Sequence, residues 1–140
     1  MSETPIKLKS PGELAFVGDA VYELLVREHV ALGNAARPDA LHHAAIEYVR
    51  ADAQAAALEA IKPQLTEEEA DIVRRGKNAH KVAAPRSASP RDYRAATALE
   101  ALFGYLYLCG RRQRIRELFE EITAAHGCNA VPGGDGTQTE

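Results

Sequence analysis

Asp19 and Glu100 are the two residues of this sequence best suited to hold a cation, because each is the one acid of an otherwise apolar stretch. Leu14-Ala15-Phe16-Val17-Gly18-Asp19-Ala20-Val21-Tyr22 carries the first, and the run from Ala95 to Gly110 carries the second. An ionised carboxylate taken out of water without a partner costs several kcal/mol, so two of them in core helices are expected to share a cation. Hard carboxylate oxygens suit Mg²⁺, with Mn²⁺ as a substitute. Such ions take one or two carboxylates and leave their other positions to water and phosphate. Each acid alone also has the plainer reading of a buried carboxyl bonded to a Tyr hydroxyl or an Arg. Two of them in separate helices weigh against it.

A basic segment lies beside the second acid. Eleven of the seventeen Lys and Arg residues fall between Arg74 and Arg116, with only Asp92 and Glu100 opposing them, although the whole chain carries a net charge of −3. That asymmetry points to a local anionic partner.

The elements that must position these groups all read as helices. Ser10-Pro11-Gly12-Glu13 is a capping box with proline at the first helical position, and the helix it starts runs to about Leu32. A second helical region spans Pro38 or Asp39 to Ile61, with a bend expected near Arg50 to Asp52. Thr66 to Glu69 caps a third helix, over 66–75, with Gly76 as its C-terminal cap. Ser89-Pro90-Arg91-Asp92 opens the next, which ends at Gly110, and the last spans Arg111 to His126. Lys77 to Ser89 is a long loop of the kind that is usually functional. The expected fold class is all-α, a compact helical bundle. Its domain plan is an N-terminal extension over 1–9, one helical domain over 10–126 and a disordered tail over 127–140.

On a helical wheel Leu14, Val17, Gly18, Val21 and Leu25 form one face of the first helix. Asp19 has Ala15, Tyr22 and Val26 as neighbours, and Glu100 has Ala96, Phe103, Gly104 and Tyr107. Gly18 and Gly104 remove side chains where two backbones could approach closely. Glu23, one turn after Asp19, is either an outer ligand or part of a solvated face. The cations from Arg111 to Arg116 open a helix, where they oppose its dipole, and so call for a reason.

Composition excludes several classes. With 46% hydrophobic and 26% charged residues the chain is ordinary for a globular protein. No apolar run approaches the roughly 20 residues of a membrane span. Met1 to Ser10 lacks an apolar signal core, and Cys109 and Cys128 have no metal-type spacing, so a cytoplasmic protein with reduced thiols is expected.

Taken in order, these residues are recognisable. Phe16-Val17-Gly18-Asp19-Ala20-Val21 resembles the signature helix of ribonuclease III, and Ala98-Leu99-Glu100-Ala101-Leu102-Phe103-Gly104 resembles its second acidic helix. The closer resemblance is to Mini-III, the short bacterial branch that lacks a double-stranded-RNA-binding domain. It is carried also by Leu41-His42, Tyr48-Val49, Arg74-Arg75-Gly76-Lys77-Asn78, Tyr93-Arg94 and Gly104-Tyr105-Leu106-Tyr107-Leu108. Ordinary ribonuclease III has further acids at the positions held here by Gly12, Ala15 and Thr97, and the reduced set is what Mini-III looks like.

The resemblance implies an Mg²⁺-dependent endoribonuclease, a homodimer whose two acidic sites lie along a valley for duplex RNA. Asp19 and Glu100 would be catalytic carboxylates and metal ligands. The products would carry a 5′-phosphate and a 3′-hydroxyl. The implied substrate is the precursor of 23S large-subunit ribosomal RNA, with a ribosomal protein as a further partner that presents it. Arg74, Arg75, Lys77, Asn78, His80, Lys81, Arg86 and Arg94 would grip the RNA backbone. The alternative reading is a non-catalytic module that binds structured RNA during ribosome assembly.

Overall fold

Six helices account for the architecture, and the fifth is their axis. The computed structural model describes residues 5–33, 37–79 and 88–129. These form α1 (Pro11–Ala31), α2 (Pro38–Val49), α3 (Ala51–Ile61), α4 (Glu67–Asn78), α5 (Pro90–Leu108) and α6 (Arg112–Asn129), with no strand among the described residues. The all-α expectation holds.

Helix α5 is central because its sequence is apolar on every side. Ala95, Ala96, Ala98, Leu99 and every residue from Ala101 to Leu106 are buried, and α1, α3, α4 and α6 all pack against it. A helix hydrophobic all round has nowhere else to go. One core results, joining α1 residues Leu14, Tyr22 and Val26 to Leu58 and Ile61 of α3, Ile72 of α4, and Leu118 and Ile122 of α6.

The local signals act where expected. Ser10 and Glu13 cap α1 reciprocally, at 2.9 and 3.1 Å, and Thr66 and Glu69 do the same for α4, at 3.0 and 3.1 Å. The expected bend is a full break: Arg50 is extended (φ −60°, ψ 152°) between α2 and α3. Arg50 holds that break by pairing with Glu47 and, at 2.7 Å, with Asp52. Gly110 adopts φ +76° after α5, a conformation that costs glycine least, and the chain turns there into α6.

Two helix ends differ from the sequence reading. Gly76 is not a cap; α4 continues through it to Asn78, and Gly76 is buried against α5. A Cβ at this position would lie 2.7 Å from the Ala98 Cα, so glycine is there for a close crossing. Helix α6 likewise passes Gly127 and ends at Asn129. Residues 127–129, expected in the tail, are instead the end of α6; the rest of that tail, 130–140, lies outside the described residues, as do residues 80–87 of the long loop. Among the described residues no helix is long and apolar enough to cross a membrane.

Candidate active site

Helix α1 carries its buried residues four apart, at Leu14, Gly18, Tyr22, Val26 and Val30, and this stripe lies on α5. At Gly18 the contact is backbone to backbone: a Cβ there would lie 1.6 Å from the carbonyl oxygen of Glu100 and 2.8 Å from the amide nitrogen of Gly104. Asp19, the next residue on α1, is thereby set beside Glu100 at the crossing.

Asp19 itself is exposed, contrary to the expectation of a carboxylate sunk in a core helix. The buried stripe runs through Gly18 and Tyr22 rather than through Val17 and Val21, so Asp19 stands just past its edge. Glu100 is half-buried. Burial pushes its carboxyl up to about 7, the charge of Asp19 adds to the rise, and a hydrogen bond from Gln54 partly opposes it. A half-buried acid raised by the charge of a neighbouring acid marks a site where a cation would be favoured.

Gln54 is the member that sequence reasoning missed. It is 5% exposed, and its side-chain N–H group donates to Glu100 Oε2 at 3.3 Å and to the Val49 carbonyl at 3.0 Å. The signal was present: Gln54, Ala57, Leu58 and Ile61 are the buried stripe of α3, and Gln54 is the one polar group on it. Tyr22, one turn after Asp19, is also buried, and its hydroxyl and the Gln54 Oε1 have no hydrogen-bond partner. Burial first, then Tyr48 and Glu100, push the Tyr22 phenol well above its usual value.

A groove of about 590 Å³ extends from Glu100 along the first half of α5, past Thr97, Tyr93 and Asp92, to Asp52 and Arg50 at the α2–α3 break. The Thr97 hydroxyl donates to the Tyr93 carbonyl at 3.0 Å. Asp19 lines a different groove, about 730 Å³, with Phe16, Val21, Leu24, Tyr107 and Ile115. Phe16 is 83% exposed and Leu24 69%, so α1 presents a large apolar face outward. Glu23, also in that groove, is ion-paired with Arg27 at 2.8 Å.

The basic residues divide. Arg74 is exposed and paired with Asp71, whereas Arg75 donates to the Lys9 carbonyl at 2.9 Å and so ties down the segment before α1. Lys77 is half-buried; burial holds its ammonium below the usual lysine value, with Lys62 alongside adding repulsion and Arg91 contributing. Lys62, itself paired with Glu59 at 3.0 Å, thus joins a cationic group that the sequence reading centred on the loop. Asn78 and Arg94 are exposed. His80, Lys81 and Arg86 lie outside the described residues.

The cations at the start of α6 have a structural reason. Arg114 forms a two-pronged pair with the buried Glu69, both contacts at 2.8 Å, and Arg111 reaches Glu68 at 3.3 Å. Burial alone would raise Glu69, but bonds from Arg114 and Thr66 outweigh it and hold the carboxyl below its usual range. Tyr105 completes the cluster by donating to Glu68.

Among the described residues no three acid, His or Cys side chains form a metal cage. The donor set at the crossing is two hard carboxylates, which fits a hydrated Mg²⁺ that takes its other ligands from water and phosphate.

Comparison with known proteins identifies the family. The ribonuclease III domain model matches residues 12–111. A Mini-ribonuclease 3 of Symbiobacterium thermophilum is 49% identical over 79% of this chain and 85% of its own length. Those of Brevibacillus brevis and Staphylococcus aureus are 46% and 39% identical, each over 84% of this chain. The crystal structure of a Fusobacterium nucleatum protein superposes with a TM-score of 0.76 at 32% identity, covering 88% of this chain and 99% of that one. With these relatives and an all-helical fold among the described residues, the chain belongs to the ribonuclease III domain family, in the Mini-ribonuclease 3 branch, and is an endoribonuclease.

Proposed function

We propose that this endoribonuclease hydrolyses double-stranded RNA with Mg²⁺ held by Asp19 and Glu100, acts as a homodimer in the cytoplasm, and matures the ends of the 23S ribosomal RNA precursor. The observation that carries the reading is the rise that the Asp19 charge adds to the half-buried Glu100 carboxyl where α1 crosses α5. A pure RNA-binding module has no use for two acids that repel one another, and this argues against the alternative reading.

The reaction forms a bond from a water oxygen to phosphorus and breaks the bond from phosphorus to the 3′ oxygen. It leaves a 5′-phosphate and a 3′-hydroxyl. Mg²⁺, when bound, supplies the positive charge that favours water ionisation and offsets charge on the departing oxygen. Glu100 serves in its ionised form, and a bound cation would favour that form, so metal binding should release the proton that burial and the Asp19 charge help it to hold. Lys62, Lys77 and Arg91, with the exposed Arg74 and Arg94, supply cations for phosphate contact, which is how duplex RNA is held without reading its sequence. The apolar groove around Phe16 and Leu24 supports the homodimer, since a face of this size is rarely left to water.

The test is cleavage of a labelled 23S precursor stem with and without Mg²⁺, alone and with a ribosomal-protein fraction. Defined Mg²⁺-dependent cuts are expected from the parent, and none from Asp19→Asn or Glu100→Gln, both folded. Parent-like cutting by either variant would refute the assignment of these acids.

A further inference from the structure

We propose that Gln54 is a positioning residue of the nuclease site, holding the Glu100 carboxylate in the orientation that receives the metal ion. This rests on the reading of Asp19 and Glu100 as the metal-holding pair.

The Gln54 amide nitrogen has two hydrogens, and both are committed: one to Val49 O at 3.0 Å, the other to Glu100 Oε2 at 3.3 Å. Two acceptors at one position fix which end of the amide is nitrogen, since an oxygen placed there would face two oxygens. The Val49 carbonyl is among the last of α2, whose helical partners end at the Arg50 break, so the amide is moored to main chain rather than to another mobile side chain. Glu100 Oε2 is thereby occupied from the α3 side, and Oε1 is left for the ion and its waters. A carboxylate otherwise free to turn about its last torsion is held in one plane.

Packing does not account for the residue. Gln54 is 5% exposed within an apolar stripe, and its Oε1 is buried without a partner. Methionine would fill the same volume and remove the unpaired Oε1, losing, besides the bond to Glu100, only the donor to the Val49 carbonyl at the end of α2. The neighbours on that stripe, Ala57, Leu58 and Ile61, are all apolar. An amide that keeps an unpaired oxygen in the core is accounted for by what its nitrogen does. Groups of this kind, one step behind a ligand, typically set metal affinity and rate rather than fold.

The decisive comparison is the full chain against Gln54→Met and the isosteric Gln54→Glu, with Glu100→Gln as reference. Four quantities are read: thermal midpoint, affinity for an RNA duplex in Ca²⁺, Mn²⁺ binding by electron paramagnetic resonance without RNA, and single-turnover cleavage across Mg²⁺ concentrations. For Gln54→Met the expected result is RNA affinity within about twofold of the parent, with Mn²⁺ affinity and cleavage rate each reduced about 10- to 100-fold. More Mg²⁺ should restore part of the rate, which a merely destabilised core would not show. Gln54→Glu, which sets an oxygen against Glu100, should lose cleavage at least as far.

Parent-like Mn²⁺ binding and cleavage in a folded variant overturns the proposal. So does failure of both variants to fold, which would make Gln54 a core residue only. A parent protein that neither binds Mn²⁺ nor cleaves sinks the nuclease site itself, and this outcome is distinct from either of those.

Discussion

Gly18 and Gly104 face each other across the α1–α5 crossing so closely that a Cβ on either would come within 3 Å of the other's amide nitrogen, at 2.8 and 2.9 Å. The Gly104 Cβ would also lie 1.9 Å from the Leu14 carbonyl oxygen. Helix backbones cannot yield locally to such contacts, so a side chain at either position separates the helices. Gly18→Ala and Gly104→Ala should each cost about 3 kcal/mol or more, at the upper end of what overpacking produces. Urea denaturation measures this, and cleavage should fall with stability because Asp19 moves away from Glu100. A parent-like midpoint for Gly18→Ala would contradict the crossing.

The Glu100 carboxyl gives a pH dependence with a definite sign. It is pushed up to about 7 in the fold from an ordinary value of 4.5, so the folded protein binds the proton more tightly than the unfolded chain. Stability from this group is full below its unfolded value and is lost as the pH rises through its folded one. Glu100→Gln cannot ionise. Without metal it should melt above the parent at about pH 8.5 and level with it at about pH 4, as scanning calorimetry can measure.

Arg114 and Glu69 make the opposite case. Glu69 is 2% exposed, and its carboxyl is held low by Arg114 and Thr66. Removing the cation strands a buried charge, so Arg114→Met should lose about 3 kcal/mol of stability at neutral pH. A depressed carboxyl gives stability above its unfolded value that is lost as pH falls. The gap between variant and parent should therefore close in acid. A gap that widened in acid would refute the pairing.

Leu24 is 69% exposed in the apolar groove of α1, and it makes no part of the core. Leu24→Glu should leave the fold of each chain intact and convert the proposed dimer to monomer, read by sedimentation equilibrium. An unchanged mass would move the dimer contact elsewhere.

What the sequence made legible was local. The reciprocal caps at Ser10–Glu13 and Thr66–Glu69 depend on residues three apart, and a reader of the chain can see both members. The close approach at Gly18 and Gly104 could be read because glycine in an apolar helix has few other uses. What escaped depended on packing between helices. Gly76 carries the same residue type as a helix cap, and only Ala98, 22 positions later, makes it an interior contact. The exposure of Asp19 turned on which of two adjacent stripes of α1 meets α5. Gln54 lay unseen in an alanine-rich helix because its partners are a backbone carbonyl and an acid from α5. The cations of α6 looked unfavourable until the acids at the start of α4 came to face them.

The α1–α5 crossing is a meeting of main chain with main chain, and its spacing therefore does not depend on how neighbouring side chains fill space. Core positions of α3, α4 and α6 can drift, exchanging one apolar residue for another, while the width of the site stays as the two helix paths set it. The same contact concentrates the molecule's intolerance into a pair of hydrogen atoms. A lineage of such sequences can rewrite most of its interior, but one methyl group at Gly18 would close that history.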